Sequence, residues 1–322
     1  MLSLSEGHDI LDAMNRNRIG ALLTLTGGMC WGISGCVGQY LFSTKGMSAL
    51  WLVPIRLFGA GILLLLYYLI KEPHLLFGMW KTKGNACRML VYGILGISCS
   101  QFTYFLTIQL STAGTATILQ DVSPVIILGI VCFQEHRRPM FLELCAVVFA
   151  FTGVFLLTTH GNVRNMAVRP AAIVTGLVCA VCVVVYTMTP GQLQKQFPTP
   201  LLQGWAFLLG GIFFMILFHP WTYHYVPDAT ALAGIATVIL VGNVIAFNLY
   251  MTGVTFIGPE RASLFSFAEP VTAAIIGTLL LGSPFTVWDA TGFLCIFLML
   301  VGLFFSNSSS KRTRLSGNPR TP

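Results

Sequence analysis

The chain has 322 residues, 55% of them hydrophobic and only 9% charged, with a mean hydropathy of +0.79. Soluble domains carry roughly 25% charged residues, so this composition excludes a soluble globular protein and requires a membrane interior. The formal net charge of +7 is not a nucleic-acid footprint, because the basic residues sit in short connections between apolar runs, where the positive-inside rule accounts for them.

Residues 1–18 hold Glu6, Asp9 and Asp12 ahead of an apolar run. That run is too long for the core of a cleavable signal, about 7–15 residues, so the segment reads as a cytoplasmic tail. A spanning helix needs roughly 20 apolar residues. On that measure ten spans follow, over 19–43, 48–70, 89–109, 113–133, 141–159, 171–189, 201–218, 230–252, 260–281 and 288–305. Lys71-Glu72-Pro73, His136-Arg137-Arg138-Pro139 and Phe197-Pro198-Thr199-Pro200 punctuate them. Residues 89–134 are too long for one span and divide near Ser111-Thr112-Ala113-Gly114, and 230–281 divides near Gly258-Pro259 by the same logic. Residues 306–322 form a polar, basic tail. With the N-terminus inside, only Lys45, Arg164 and Arg169 fall outside, and every other basic residue except the intrahelical Arg56 falls inside. Both termini are therefore expected in the cytoplasm.

A shift of 146 residues places Tyr104 on Tyr250, Ala116 on Ala262, Pro124 on Pro270 and Val125 on Val271. The chain thus divides into two five-helix repeats, 19–159 and 171–305. Five is odd, so the second must be inserted upside down. The expected fold is an all-α integral membrane protein of ten transmembrane helices in two inverted five-helix repeats. Inverted repeats around a midplane site are a recurring plan of secondary transporters.

Two stretches put a carboxylate beside a proline inside an apolar run: Leu119-Gln120-Asp121-Val122-Ser123-Pro124-Val125 and Phe267-Ala268-Glu269-Pro270-Val271. An ionised carboxylate in hydrocarbon costs several kcal/mol unless it faces a cavity or a partner. Asp121 lies about eight residues into its helix, roughly 12 Å deep at 1.5 Å per residue, too far for so short a side chain to reach the interface. Asp121 and Glu269 are candidate proton-coupling groups or ammonium ligands, against a structural hydrogen bond for the first and a packing role for the second. Arg56 can hold a substrate carboxylate through its planar fork, pair with Asp121 or Glu269, or snorkel to the surface. Trp31 and Tyr186 occupy matching positions in the first helix of each half, as do Tyr104 and Tyr250 in the third. Gln101, Gln120, Asn243 and Asn248 supply neutral donors and acceptors, though such amides often serve only helix–helix hydrogen bonds. Pro124 and Pro270 are expected as helix bends. Glu143, Asp289, Glu260 and Arg261 lie near helix ends and read as interfacial.

Eight of the nine cysteines lie inside apolar stretches, and the six histidines fall in tails or loops. This suggests no disulfide framework, no metal site and no cofactor. Trp31-Gly32, Pro54-Ile55-Arg56, the run from Ser111 to Thr117 leading into Ser123-Pro124, and Gly258 to Ser263 leading into Glu269-Pro270 resemble an EamA-type permease of the drug/metabolite transporter superfamily. The nearest group by these motifs is its carboxylate/amino acid/amine transporter branch. The resemblance covers about 19–305 and implies metabolite export across a bacterial inner membrane. Two positions depart from the pattern: Asp121, where an apolar or aromatic residue is expected, and Gly282-Ser283, where Gly-Glu is common.

The residues together suggest a secondary transporter of small polar metabolites, amino acids first, with protons as the coupling ion and the lipid bilayer as its surroundings. Drug or amine efflux on the same fold is the first alternative. A membrane enzyme acting on lipid-linked substrates is the weaker one, since such enzymes cluster His, Asp or Arg at one membrane face.

Overall fold

A computed structural model describes residues 4–161, 167–258, 262 and 265–316, with side chains described within 16–305. Backbone in hydrocarbon must satisfy its own hydrogen bonds, and all regular structure among the described residues is helical. The main helices are α1 (Leu4–Ser43), α2 (Ala49–Lys71), α3 (Lys83–Leu110), α4 (Ala113–Gln134) and α5 (Phe141–Thr159). After them come α6 (Pro170–Met188), α7 (Thr199–Phe218), α8 (Ala229–Ile257), α9 (Ala268–Leu281) and α10 (Val287–Ser316). Among the described residues nine segments are long and apolar enough to cross a bilayer, and α9 is a shorter apolar helix of 14 residues. Glu260 and Arg261, expected at a helix end, lie outside the described residues.

Local chemistry sets the ends. Ser48, Thr112 and Asp228 cap α2, α4 and α8, each side chain accepting from a backbone N–H of the first turn. Gly282 closes α9 in the left-handed region at φ 63°, where a residue without Cβ carries no penalty. Hydropathy locates the apolar part of a helix rather than its ends. Hence α1 begins by Leu4 rather than 19, and α10 runs to Ser316 rather than 305.

Helix packing interleaves the two halves. α2 packs on α7, α5 on α10, α1 on α8 and α9, α3 on α6, and α4 on α6 and α9. Exchanging α1–α5 for α6–α10 maps this set onto itself: α1 on α8 becomes α6 on α3, and α1 on α9 becomes α6 on α4. Both third members also contain an eight-residue π-helical stretch, Val91–Ser98 in α3 and Val238–Ile245 in α8. The α2–α7 contact depends on glycine. A Cβ at Gly61 would sit 2.5 Å from the Leu208 nitrogen, and one at Gly211 would sit 2.5 Å from the Phe58 nitrogen. Such small residues let membrane helices approach closely.

The prolines act differently from expectation. A turn at Asp121 and Val122 interrupts the regular helix of α4, which therefore consists of Ala113–Gln120 and Ser123–Gln134. Ser266 and Phe267 likewise form a turn before α9. Pro124 and Pro270 therefore stand in the first turn of a new segment, where a missing N–H costs nothing, instead of bending a continuous helix.

Glu143, expected at an interface, is buried at 1% exposure. Its oxygens accept from Arg137 Nη1 and Nη2 at 2.8 and 2.9 Å and from the Met140 N–H at 2.7 Å, which locks the α4–α5 turn. At the other end of the bundle Lys45 Nζ lies 2.6 Å from Asp228 Oδ2 and ties the α1–α2 connection to the start of α8. The Lys45 ammonium, with the Ala231 N–H and Thr230 hydroxyl, holds the Asp228 carboxyl down at about 2.

Gly61→Ala should destabilise the protein by about 1–3 kcal/mol through overpacking, measured as a lower thermal midpoint in detergent. Gly129→Ala, whose added methyl meets nothing within 4 Å, should leave the midpoint unchanged. Because the folded Asp228 value lies below the unfolded one of about 3.9, its contribution is present above about pH 4. It disappears as the pH falls through about 2. A carboxyl carbon titration of labelled Asp228 in the folded protein should show that low midpoint, and Lys45→Ala should raise it.

Candidate functional site

Arg56 is the largest side chain that is almost wholly buried, at 2% exposure. It lies on the α2 face turned toward α3 and α8. Its Nη2 donates to Gln101 Oε1 on α3 and, at 2.7 Å, to Asn243 Oδ1 on α8. The guanidinium carbon stands 3.8 Å from the centre of the Phe105 ring. Gln101 and Phe105 are four residues apart, so one face of α3 supplies both contacts. Among the described residues no carboxylate oxygen lies within 4.0 Å of Arg56. Its Nε and Nη1, and the Asn243 Nδ2, have no hydrogen-bond partner among the described residues. Of the three roles open to Arg56 from the sequence, snorkelling and an internal ion pair are thus absent from this structure.

Burying such a charge costs several kcal/mol. A desolvated cation–π contact returns about 2 kcal/mol, and each hydrogen bond to a charged group about 1.5–3 kcal/mol. The arrangement holds the guanidinium in place while leaving its charge uncompensated.

Arg56 lines a cavity of about 80 Å³ together with Trp31, Ser34, Gln101, Tyr104, Phe105, Gln120, Tyr186, Gly242 and Glu269. Tyr104 Oη donates to Glu269 Oε1 at 3.0 Å, joining the third helix of one half to α9 of the other. Gln120 is turned by the Cys179 thiol, whose sulfur lies 3.3 Å from its Oε1. Seven of the expected site residues thus converge on one chamber: Trp31, Arg56, Gln101, Tyr104, Gln120, Tyr186 and Glu269. Asn243 contributes by fixing Arg56.

Three others stand apart. Tyr250 lies behind the wall, its ring 5.0 Å from that of Trp31. Asn248 donates to the Val244 carbonyl of its own helix at 2.7 Å. Asp121 sits at the break in α4, outside the lining. Ser34, Phe105 and Gly242 line the cavity although the sequence reading passed over them. Phe105 had a signal, its four-residue spacing from Gln101. Gly242 had none until the packing was visible: a Cβ there would fall 2.1 Å from Ser34 Oγ.

A larger cavity, about 230 Å³, opens where the ends of α1, α5, α9 and α10 meet the α3–α4 turn. Gln39, Thr115, His160, Ser283 and Asp289 are among its lining residues. Gln39 spans its wall, donating to Ser283 Oγ at 2.7 Å and accepting from the Ala113 N–H at 2.8 Å. Asp289 is not merely interfacial, since Oδ1 lies 3.0 Å from His160 Nε2 and Oδ2 accepts from the Thr286 N–H. The smaller chamber is the better functional candidate despite its size, because the uncompensated charge and the convergent donors are there. The two are stacked along α9, where Glu269 faces the small one and Ala273 and Gly277, four and eight residues on, face the large one.

Tyr104→Phe removes the hydrogen bond that Tyr104 Oη donates to the Glu269 carboxyl. It should cost about 1.5–3 kcal/mol, measured as a lowered thermal midpoint that Glu269→Gln in the same background does not lower further.

The sequence profile of the EamA-like transporter family matches residues 18–159 and 170–307, one match in each half. A Salmonella typhimurium protein named uncharacterized inner membrane transporter YicL is 32% identical over 301 residues, spanning 94% of this chain and 99% of its own. The Bacillus subtilis uncharacterized transporter YwfM is 21% identical over 300 residues, with 93% and 97% covered. A solved crystal structure shares the fold at a TM-score of 0.62 and 14% identity, over 92% of this chain and 99% of that one. Two family matches in tandem, a helical bundle with candidate spans throughout and a polar chamber between its halves agree: this multi-pass membrane protein belongs to the EamA-like transporter family.

Proposed function

We propose that the protein is a secondary transporter that exports small polar metabolites, amino acids first, across the bacterial cytoplasmic membrane by alternating access coupled to protons. The observation that carries this reading is the composition of the 80 Å³ chamber. Trp31, Arg56, Gln101, Tyr104 and Gln120 come from the first half, and Tyr186, Gly242 and Glu269 from the second. A site shared between repeats changes its accessibility when one repeat rocks against the other. In this reading α9 and the residues before it form a tenth span, the halves are inverted in the bilayer and both termini are cytoplasmic. The exchange symmetry of the helix contacts, the matched π-helical stretches and the distribution of Lys and Arg support that arrangement.

Glu269 and Asp121 are the groups for proton exchange or for a substrate ammonium. Glu269 lines the chamber, and Asp121 stands at the break in α4, next in the chain to the lining residue Gln120. Amine or drug efflux is the second reading, favoured by the aromatic walls of Trp31, Tyr104 and Tyr186, which suit an organic cation.

Proteoliposomes preloaded with mixed amino acids, amines and small carboxylates test the proposal, with released compounds identified by mass spectrometry. An imposed pH gradient should release a selected subset, and Glu269→Gln and Asp121→Asn should each cut that flux at least fivefold. Wild-type flux and pH dependence in both variants would end the proton-coupling reading.

A further inference from the structure

The chamber contains one feature that packing alone leaves unexplained. Arg56 carries five N–H bonds. The two on Nη2 are taken by Gln101 and Asn243, while those on Nε and Nη1 have no acceptor among the described residues. The Asn243 amide nitrogen is also unpartnered among them. These donors belong to side chains 2% exposed, and Arg56 lines the cavity. The acceptors that do reach Arg56 are both neutral amide oxygens, and Glu269 Oε1 in the same chamber accepts from Tyr104 instead. The guanidinium is thus oriented by dipoles, backed by Phe105 and kept free of an internal counter-ion.

We infer that a carboxylate on the substrate supplies that counter-ion, so that the site requires a carboxylate and rejects the amide or amine of the same carbon skeleton. This deepens the transporter reading of the same chamber and rests on it. The carboxylate accepts from Arg56, which Asn243 holds in place, and the rest of the molecule extends toward Trp31, Tyr186 and Glu269. Selectivity follows from what each analogue leaves behind. An amide brings an N–H₂ against N–H donors, and an amine brings a second positive charge. Either one leaves the buried guanidinium unpaired, and a site built around one hydrogen-bonding group discriminates strongly against analogues that lack it. A 2-hydroxy acid keeps the carboxylate and loses only the ammonium, so it should still bind.

The test is isothermal titration of the full-length, detergent-solubilised protein with a panel of amino acids, each matched to its own amide and its 2-hydroxy acid, with chloride as a further probe. The expected result is at least one amino acid that binds at least tenfold more tightly than its amide, with the 2-hydroxy acid closer to the amino acid. Arg56→Gln should abolish the difference. Because that variant can fail to fold, Gln101→Glu serves as the second probe. It is nearly isosteric and places a carboxylate on the guanidinium, so it should raise the thermal midpoint and weaken carboxylate binding at least tenfold.

Equal binding of acid and amide, no carboxylate bound anywhere in the panel, chloride bound as tightly as any carboxylate, or wild-type binding in Gln101→Glu would each overturn the inference. The two readings fail separately. Carboxylates that bind but are not moved in proteoliposomes would retain this inference and remove transport through the chamber. Gradient-driven flux of amines without carboxylate binding would do the reverse.

Discussion

A guanidinium held away from water can be stabilised by an opposite charge, by oriented dipoles or by an aromatic face. Arg56 has the second and third without the first. That choice constrains the surrounding bundle. Gln101 and Phe105 must share a face of α3, and Asn243 must arrive from α8 in the other half. α2 must also lie close enough to carry Arg56 between them. The glycine contacts of α2 with α7 set that distance from behind, since Gly61 and Gly211 leave no room for a side chain. The charge therefore does more than wait for a ligand. It ties the two halves together through neutral groups that can exchange partners at lower cost than an ion pair can.

The second constraint is the backbone itself. Irregular chain is tolerated at membrane depth only where it is buried in protein or lines a cavity. The break at Asp121-Val122, the turn at Ser266-Phe267 and both π-helical stretches all flank the chamber or supply its wall. Proline at the start of each resumed segment keeps the break in place, and the carboxylates Asp121 and Glu269 stand beside those breaks. Glu269 spans the gap between halves through Tyr104.

The amino-acid sequence exposed much of this because polar residues in hydrocarbon are costly and therefore conspicuous. Arg56, Glu269 and the amides Gln101, Gln120 and Asn243 stood out on that ground alone. Their neighbours did not. Phe105 offered only its four-residue spacing from Gln101, and Gly242 is informative only once Ser34 is seen against it. The role of the prolines was misread for a related reason. Sequence shows that Pro124 removes a donor but not that the helix has already stopped at Gln120, which depends on packing against α6 and α9. Asn248 shows the opposite error. A polar side chain in an apolar run can be satisfied by its own helix, and spacing alone does not distinguish that from a bond across the bundle.

The paired π-helical stretches have a geometric consequence for motion. Each residue of an α-helix advances the chain by about 100° around the axis, and a π turn holds one residue more than an α turn between hydrogen-bonded groups. Tightening Val91–Ser98 by that one residue would swivel everything beyond it in α3, including Gln101, Tyr104 and Phe105, by roughly a quarter turn without bending the helix. The same tightening of Val238–Ile245 would swivel Tyr250 in α8. Each half thus contains a screw joint just ahead of its own matching tyrosine, and a turn of the first joint would part Arg56 from Gln101 and Phe105 while its link to Asn243 stayed in place.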